Sequence, residues 1–147
     1  MKNRVFLILS VISMVISTAV NAQSGQNTIE KQKFHFGKAG EDGAGYAQAV
    51  RVGKTIYISG TVGGGETASA LTNVYNGLQK TLAFYGATFQ NVVKENLYTT
   101  NIEEIKKHND VRKKYYNNDF PAATWVQIQR LYEETALVEV ELVAVLP

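Results

Sequence analysis

The chain has 147 residues, no cysteine and a formal net charge of +2, which excludes disulfide frameworks, thiol nucleophiles and thiolate metal sites. Lys2 and Arg4 account for the whole surplus: of 15 basic residues 13 remain beyond them, against 13 acidic ones. Beyond Arg4 the chain is neutral and has no basic stripe, which excludes a surface built to track phosphates, and the length suits one compact domain with one core.

Lys2 and Arg4 precede an apolar run from Val5 to Val20 that closes in Val20-Asn21-Ala22. This is the pattern of a signal peptide over residues 1–22, with cleavage expected between Ala22 and Gln23. The run is short for a membrane span and lacks a charged stop, so no stable membrane association is expected after cleavage. With no cysteine at the cut, a lipid anchor is excluded, and the expected location is periplasmic or secreted. Residues 23–33 read as a flexible lead-in and 34–147 as the domain.

Phe34-His35-Phe36 begins the ordered part. Gly37, Gly40, Gly43 and Gly45 then read as a loop, because no lysine or helix follows at the spacing a phosphate cradle needs. Tyr46 to Val52 and Thr55 to Ser59 flank Gly53-Lys54, a hairpin signal that turns Ile56 and Ile58 to the core. Ser59-Gly60 is expected to open a loop through Gly65 that walls a pocket. From Thr67 the period changes: Leu71, Val74, Tyr75, Leu78, Leu82 and Tyr85 recur at helical steps, with Thr67 or Ser69 as cap and Gly86 as terminator.

Val92 to Thr100 reads as a strand, and Asn101 with Glu104 as a capping box opening a second helix through Ile105 and Val111 to Tyr116. Phe120 to Ile128 alternates as a strand with the only tryptophan. Its Thr124, Val126 and Ile128 are assigned to the core, and Ala123, Trp125 and Gln127 to a mixed opposite face. After a connection from Arg130 to Thr135, a last strand from Leu137 to Leu146 projects Glu139 and Glu141 from one face. If that connection closes a hairpin, Trp125 lies roughly opposite Glu139, so indole, gap and carboxylate share a surface.

Strand, strand, helix, strand, helix, strand, strand predicts an α+β fold: one open sheet with two helices packed on one face. Tyr98, Trp125 and the two glutamates suit a solvent face poorly, so self-association is expected to cover the other side.

Taken together, Gly45-Tyr46-Ala47-Gln48-Ala49-Val50, Ile58-Ser59-Gly60, Gly86-Ala87 with Asn91-Val92-Val93-Lys94, Asn109, Phe120-Pro121-Ala122 and Val138-Glu139-Val140-Glu141 resemble the RidA family of reactive-intermediate deaminases, also called YjgF-like. The resemblance implies a chorismate-mutase-like fold and a homotrimer with its pockets between subunits. It also implies hydrolysis of enamines and imines released by pyridoxal-phosphate enzymes to a keto acid and ammonia, without metal or cofactor. By the same resemblance Glu139 holds the hydrolytic water, and Tyr46, Ser59, Gly60, Asn109, Ala123, Thr124 and Trp125 fall at or beside substrate-binding positions. Where the deaminase branch has an arginine that clamps a substrate carboxylate, this chain has Ala123, and Trp125 stands where a small residue is usual. The substrate preference is therefore expected to differ from that of the carboxylate-bearing archetype.

Each of these residues also has a structural reading. Glu139 reads as well as a carboxylate paired across a subunit boundary, Trp125 as packing at a trimer seam, Tyr46 as a strand tyrosine with a satisfied hydroxyl, and Asn109 as a buried amide capping backbone. Ser59 has no histidine placed by sequence to activate it, and His35 and His108 lack metal-ligand spacing. Two functions stay open: an exported imine or enamine deaminase, and a trimer that binds a small molecule in the same clefts without turnover. A nuclease role, ascribed to some relatives, fits a neutral exported chain poorly.

Overall fold

The computed structural model describes residues 28–147; the expected leader and the first part of the lead-in lie outside them. Six strands form one sheet: β1 (Gln32–Phe34), β2 (Ala49–Val52), β3 (Thr55–Gly64), β4 (Val92–Thr99), β5 (Ala122–Gln127) and β6 (Ala136–Val145). Their order across the sheet is β1-β2-β3-β6-β4-β5, with β4 and β5 parallel and every other pair antiparallel. Four helices connect them: α1 (Lys38–Ala44), α2 (Thr67–Phe84), α3 (Ile102–Lys107) and α4 (Asn109–Tyr116). No helix among the described residues is long and apolar enough to cross a membrane.

The core lies between α2 and one face of the sheet. Leu71, Val74, Tyr75, Leu78 and Leu82, the stripe of α2, are fully buried, as are Ile56, Leu97, Val138 and Val140 on the strands. Each such aliphatic side chain contributes roughly 1.5–3 kcal/mol when removed from water. Close approach is enforced at Gly63, where a Cβ would lie 2.6 Å from the Ala70 carbonyl oxygen. The result is the α+β single sheet with helices on one face that the pattern predicts.

Several expectations are corrected in detail. The glycine-rich stretch after Phe36 holds α1 rather than a loop, because Glu41 accepts hydrogen bonds from the amides of Phe36, Gly37 and Gln48 and so fixes a helix that its glycines disfavour. β1 begins inside the expected lead-in, pairing with β2. Ser59 to Gly64 is not a loop: β3 runs through it, with a bulge that sets Ser59 and Gly60 against Glu141. The cap of α2 is Glu66, whose carboxylate accepts from the amides of Ala68 and Ser69, not Thr67 or Ser69. The second helix breaks at His108 into α3 and α4.

The larger correction concerns β5. It makes no hairpin with β6; β6 inserts between β3 and β4, and β5 is an edge strand parallel to β4. Trp125 pairs with the fully buried Leu97, and Ala123 with the fully buried Glu95, so both belong to the helix-covered face. Thr124 and Val126 pair with Asn96 and Tyr98 and face the open side, the reverse of the assignment from alternation. Period two separates two faces without saying which turns inward; here the buried carboxylate of Glu95 decides, by accepting from the Trp125 indole at 3.1 Å.

Candidate functional site

The site is built on the bulge in β3. Gln48, at the entry to β2, donates from its side chain to the Ser59 carbonyl at 3.1 Å and to Thr61 Oγ1 at 3.2 Å, while its carbonyl accepts from the Ser59 amide. The bulge is thereby held in one shape. Gln48 is itself tied to Glu41, whose other partners include His35 Nδ1 at 2.6 Å. Burial would raise the Glu41 pKa, but the amides of Gly37, Gln48 and Phe36, with His35, outweigh it and hold the carboxyl below its ordinary range. This anchored segment forms one wall of an open cleft of ≈ 610 Å³ lined by Tyr46, Ser59, Gly60 and Glu139.

Four of the eight sequence-predicted site residues thus meet in one cleft. The Glu139 carboxylate has no hydrogen-bond partner among the described residues, whereas that of its neighbour Glu141 accepts from Asn96 Nδ2 at 2.6 Å and from the Tyr98 hydroxyl at 3.1 Å. The two carboxylates are therefore distinct: Glu141 is held by its strand neighbours and Glu139 is available to the cleft. Burial, and secondarily the charge of Glu141, pushes the Glu139 pKa up. Its carboxyl lies against Gly60, where a Cβ would sit 1.8 Å from Oε1, so the absence of a side chain there is what admits it. Ser59 Oγ–H donates to the Ala47 carbonyl at 2.8 Å, leaving the oxygen as an acceptor rather than a nucleophile. Burial, with the charges of Glu41, Glu133 and Glu139, raises the Tyr46 pKa, so its phenol keeps its proton and can donate.

The other four lie elsewhere in the single chain. Thr124, on the open face of β5, accepts from Lys94 Nζ at 2.9 Å. Ala123 and Trp125 are on the opposite face of that strand, and Asn109 begins α4, its buried Oδ1 without a hydrogen-bond partner among the described residues. β5 is two strands removed from Glu139, so no rotamer within one chain joins these residues to the cleft. Sequence reasoning missed Tyr132 and Glu133, which complete the cleft wall from the connection after β5; an 84% exposed tyrosine gives no periodic signal. It also missed the buried pair of Glu95 and Arg112, although Glu95 falls in register with apolar Leu97. Among the described residues no cluster of three His, Cys, Asp or Glu side chains could hold a metal ion.

A family model described as endoribonuclease L-PSP matches residues 37–146, nearly the whole described chain. The chain belongs to this family, the RidA or YjgF-like proteins. Among its relatives, a 2-iminobutanoate/2-iminopropanoate deaminase of Capra hircus is 37% identical over 113 residues, covering 68% of this chain and 79% of the relative. A protein of the same description from Dermatophagoides farinae is 30% identical over 110 residues, covering 69% and 85%. The crystal structure of a YjgF/YER057c/UK114 family member from Mycobacterium tuberculosis superposes with a TM-score of 0.74 at 26% identity, covering 80% of this chain and all of that one. The family's sheet and helices are those described above, and the RidA relatives include imine deaminases.

Proposed function

We propose that the protein is an exported hydrolytic deaminase of small imine or enamine intermediates, with a substrate preference altered from that of its named relatives. The observation that carries the reading is Glu139: a half-buried carboxylate with raised pKa and no hydrogen-bond partner among the described residues, facing a cleft beside a phenol donor. An enamine first tautomerises to the imine. A water held by Glu139 then adds to the carbon of the protonated C=N as the carboxylate takes one of its protons; that proton passes to the nitrogen of the tetrahedral adduct, and ammonia leaves as the adduct's hydroxyl gives its proton back to the carboxylate and becomes the carbonyl. Tyr46 and the backbone at Gly60 orient the adduct, and Ser59 Oγ accepts from the N–H of the iminium.

The assembly belongs to the same reading. Glu139 and the β5 residues can share a pocket only if the β5 edge of one copy meets the cleft of another, and Tyr57, Val62 and Val126 expose 54%, 42% and 41% of their surface on or beside the open face. A homotrimer meets both requirements. The reading is tested with imines generated in situ from several amino acids: release of carbonyl product and ammonia is expected above the uncatalysed rate and is expected to vanish in Glu139→Gln. No acceleration, or an unchanged rate in the variant, overturns it. Light scattering is expected to give three times the chain mass, and amino-terminal sequencing of the native protein to begin at Gln23.

The missing cation at position 123 favours a second reading, a trimer that binds a small molecule in these clefts without turnover. A compound that raises the melting temperature and is recovered unchanged, in the absence of any imine hydrolysis, selects it.

A further inference from the structure

Tyr132 lines the Glu139 cleft with 84% of its surface exposed, on a segment that is pinned on both sides. Before it, Leu131 is buried, and Arg130 donates from Nε to the Leu131 carbonyl at 3.1 Å and from Nη1 to the Glu134 carboxylate at 3.1 Å. After it, the Ala136 amide donates to the Glu133 carbonyl at 3.0 Å, where β6 begins. A ring held in water by a fixed backbone is preorganised contact area, because tyrosine has only two side-chain torsions to freeze when a ligand packs on it.

Charge decides what packs there. Tyr46 lines the same cleft, half exposed, and the charged side chains of the lining are Glu133 and Glu139. Burial first, and then the charges of Glu41, Glu133 and Glu139, raise the Tyr46 pKa, so carboxylates from separate segments act on one phenol. The electron-rich faces of two tyrosine rings and the two lining carboxylates make the same electrostatic demand. A carboxylate entering this space meets like charge, whereas an ammonium group gains from rings and carboxylates together. Glu139 is engaged by the protonated C=N, which leaves Glu133 to face a second positive group. The cleft also has room for one: ≈ 610 Å³ lies in the range of sites that hold drug-sized ligands, more than a small imine alone fills.

We propose that Tyr132 and Glu133 form a subsite for a positively charged substituent, so that the cleft takes imines that carry a second, ammonium-bearing arm. This rests on the imine-hydrolase reading and names its substrate class. The C=N carbon lies at Glu139, and the ammonium packs on the Tyr132 ring with the Glu133 carboxylate beside it. Tyr132 and Glu133 are then the specificity-determining residues, and the altered preference is a preference of charge.

The ketones 1,1-dimethyl-4-oxopiperidinium and 4,4-dimethylcyclohexanone share one shape and differ by one charge, so calorimetric titration of the assembled protein with each isolates the effect of that charge. The cation is expected to bind at least about tenfold more tightly, the scale of a cation on an aromatic face backed by a carboxylate. Added salt is expected to narrow the ratio, and 4-oxocyclohexanecarboxylate to bind most weakly of the three. In Glu133→Gln and in Tyr132→Leu, both at exposed positions, the ratio is expected to fall at least about threefold, the lost share of that contact. Thermal melting and light scattering check that each variant folds and assembles; where Tyr132→Leu disturbs assembly, Glu133→Gln decides. Equal binding of the matched pair, tighter binding of the anion, or a ratio unchanged in Glu133→Gln overturns the assignment. Imine hydrolysis by a protein that binds the matched pair equally sinks this proposal and leaves the hydrolase reading standing; cation selectivity through Glu133 without hydrolysis does the reverse.

Discussion

Gly60 and Glu139 occupy the same space in turn: a Cβ on Gly60 would lie 1.8 Å from Glu139 Oε1 and 2.5 Å from its carboxyl carbon. The clash is with the far end of a flexible side chain, so Gly60→Ala is expected to move the carboxyl rather than disrupt the sheet. Stability should change by less than ~1 kcal/mol. Imine hydrolysis should fall by on the order of 10²-fold, because a displaced base no longer holds water in line with the C=N carbon. Thermal melting and initial rates on the same preparation check both halves; an unimpaired rate would show that the carboxyl's position is not used.

The raised pKa of Glu139 makes opposite demands on activity and stability. Activity is expected to rise with pH as the carboxyl ionises, since only the carboxylate can take a proton from water. For stability, the native state binds more protons than the unfolded state between the unfolded pKa, about 4.3, and the higher folded value. Glu139 therefore costs nothing below that window and destabilises the fold progressively as pH rises through it. Glu139→Gln is expected to abolish turnover while raising the melting temperature at neutral pH, and the gain is expected to disappear near pH 4. A melting temperature that drops at neutral pH would show that the carboxylate has a structural partner in the assembly.

Elements whose cause is local were legible in the sequence. The stripe from Leu71 to Leu82 gives α2, Gly53 with φ of 57° turns β2 into β3, and the alternation around Glu139 sets both last-strand glutamates on one face. What failed depended on distant partners. Lys38–Ala44 is a poor helix by composition and forms through Glu41's bonds to Phe36, Gly37 and Gln48. Trp125 turns inward because a carboxylate waits thirty residues earlier in the chain, and β5 pairs with β4 because the α3 and α4 crossover returns it parallel. The half of the site on Tyr46, Ser59, Gly60 and Glu139 sits in one cleft, while Thr124 stands apart because β5 lies two strands from Glu139, and Ala123 and Trp125 because they are also on the opposite face of the sheet; Asn109 begins α4.

Glu41 gives the protein an acid-sensitive anchor next to the cleft. Its folded pKa lies below the ordinary value, so its contribution is fully present above about pH 4.3 and is lost as pH falls through the folded pKa. Glu41→Gln is expected to remove that acid limb and to cost about 1–3 kcal/mol at neutral pH, because the new amide group opposes the Gln48 N–H as donor against donor. Denaturant melts at pH 7 and pH 4 check this: the difference between variant and parent should shrink at the lower pH. A constant difference would mean that Glu41 acts by shape alone.

The Glu95 and Arg112 pair is expected to show the asymmetry of buried charges. Arg112→Met leaves a carboxylate that is 0% exposed with three neutral donors and no cation, at an expected cost of ~3–5 kcal/mol. Glu95→Gln in the same chain removes the stranded charge while keeping an oxygen for the Tyr75 and Tyr116 hydroxyls, so the double variant is expected to be more stable than Arg112→Met alone. Urea unfolding of the two single variants, the double variant and the parent closes the cycle. A coupling energy of several kcal/mol shows that the pair is electrostatic. Additive losses would instead trace the effect to the packing of Arg112 between Tyr116, Phe120 and Trp125, whose rings it contacts whether or not Glu95 is charged.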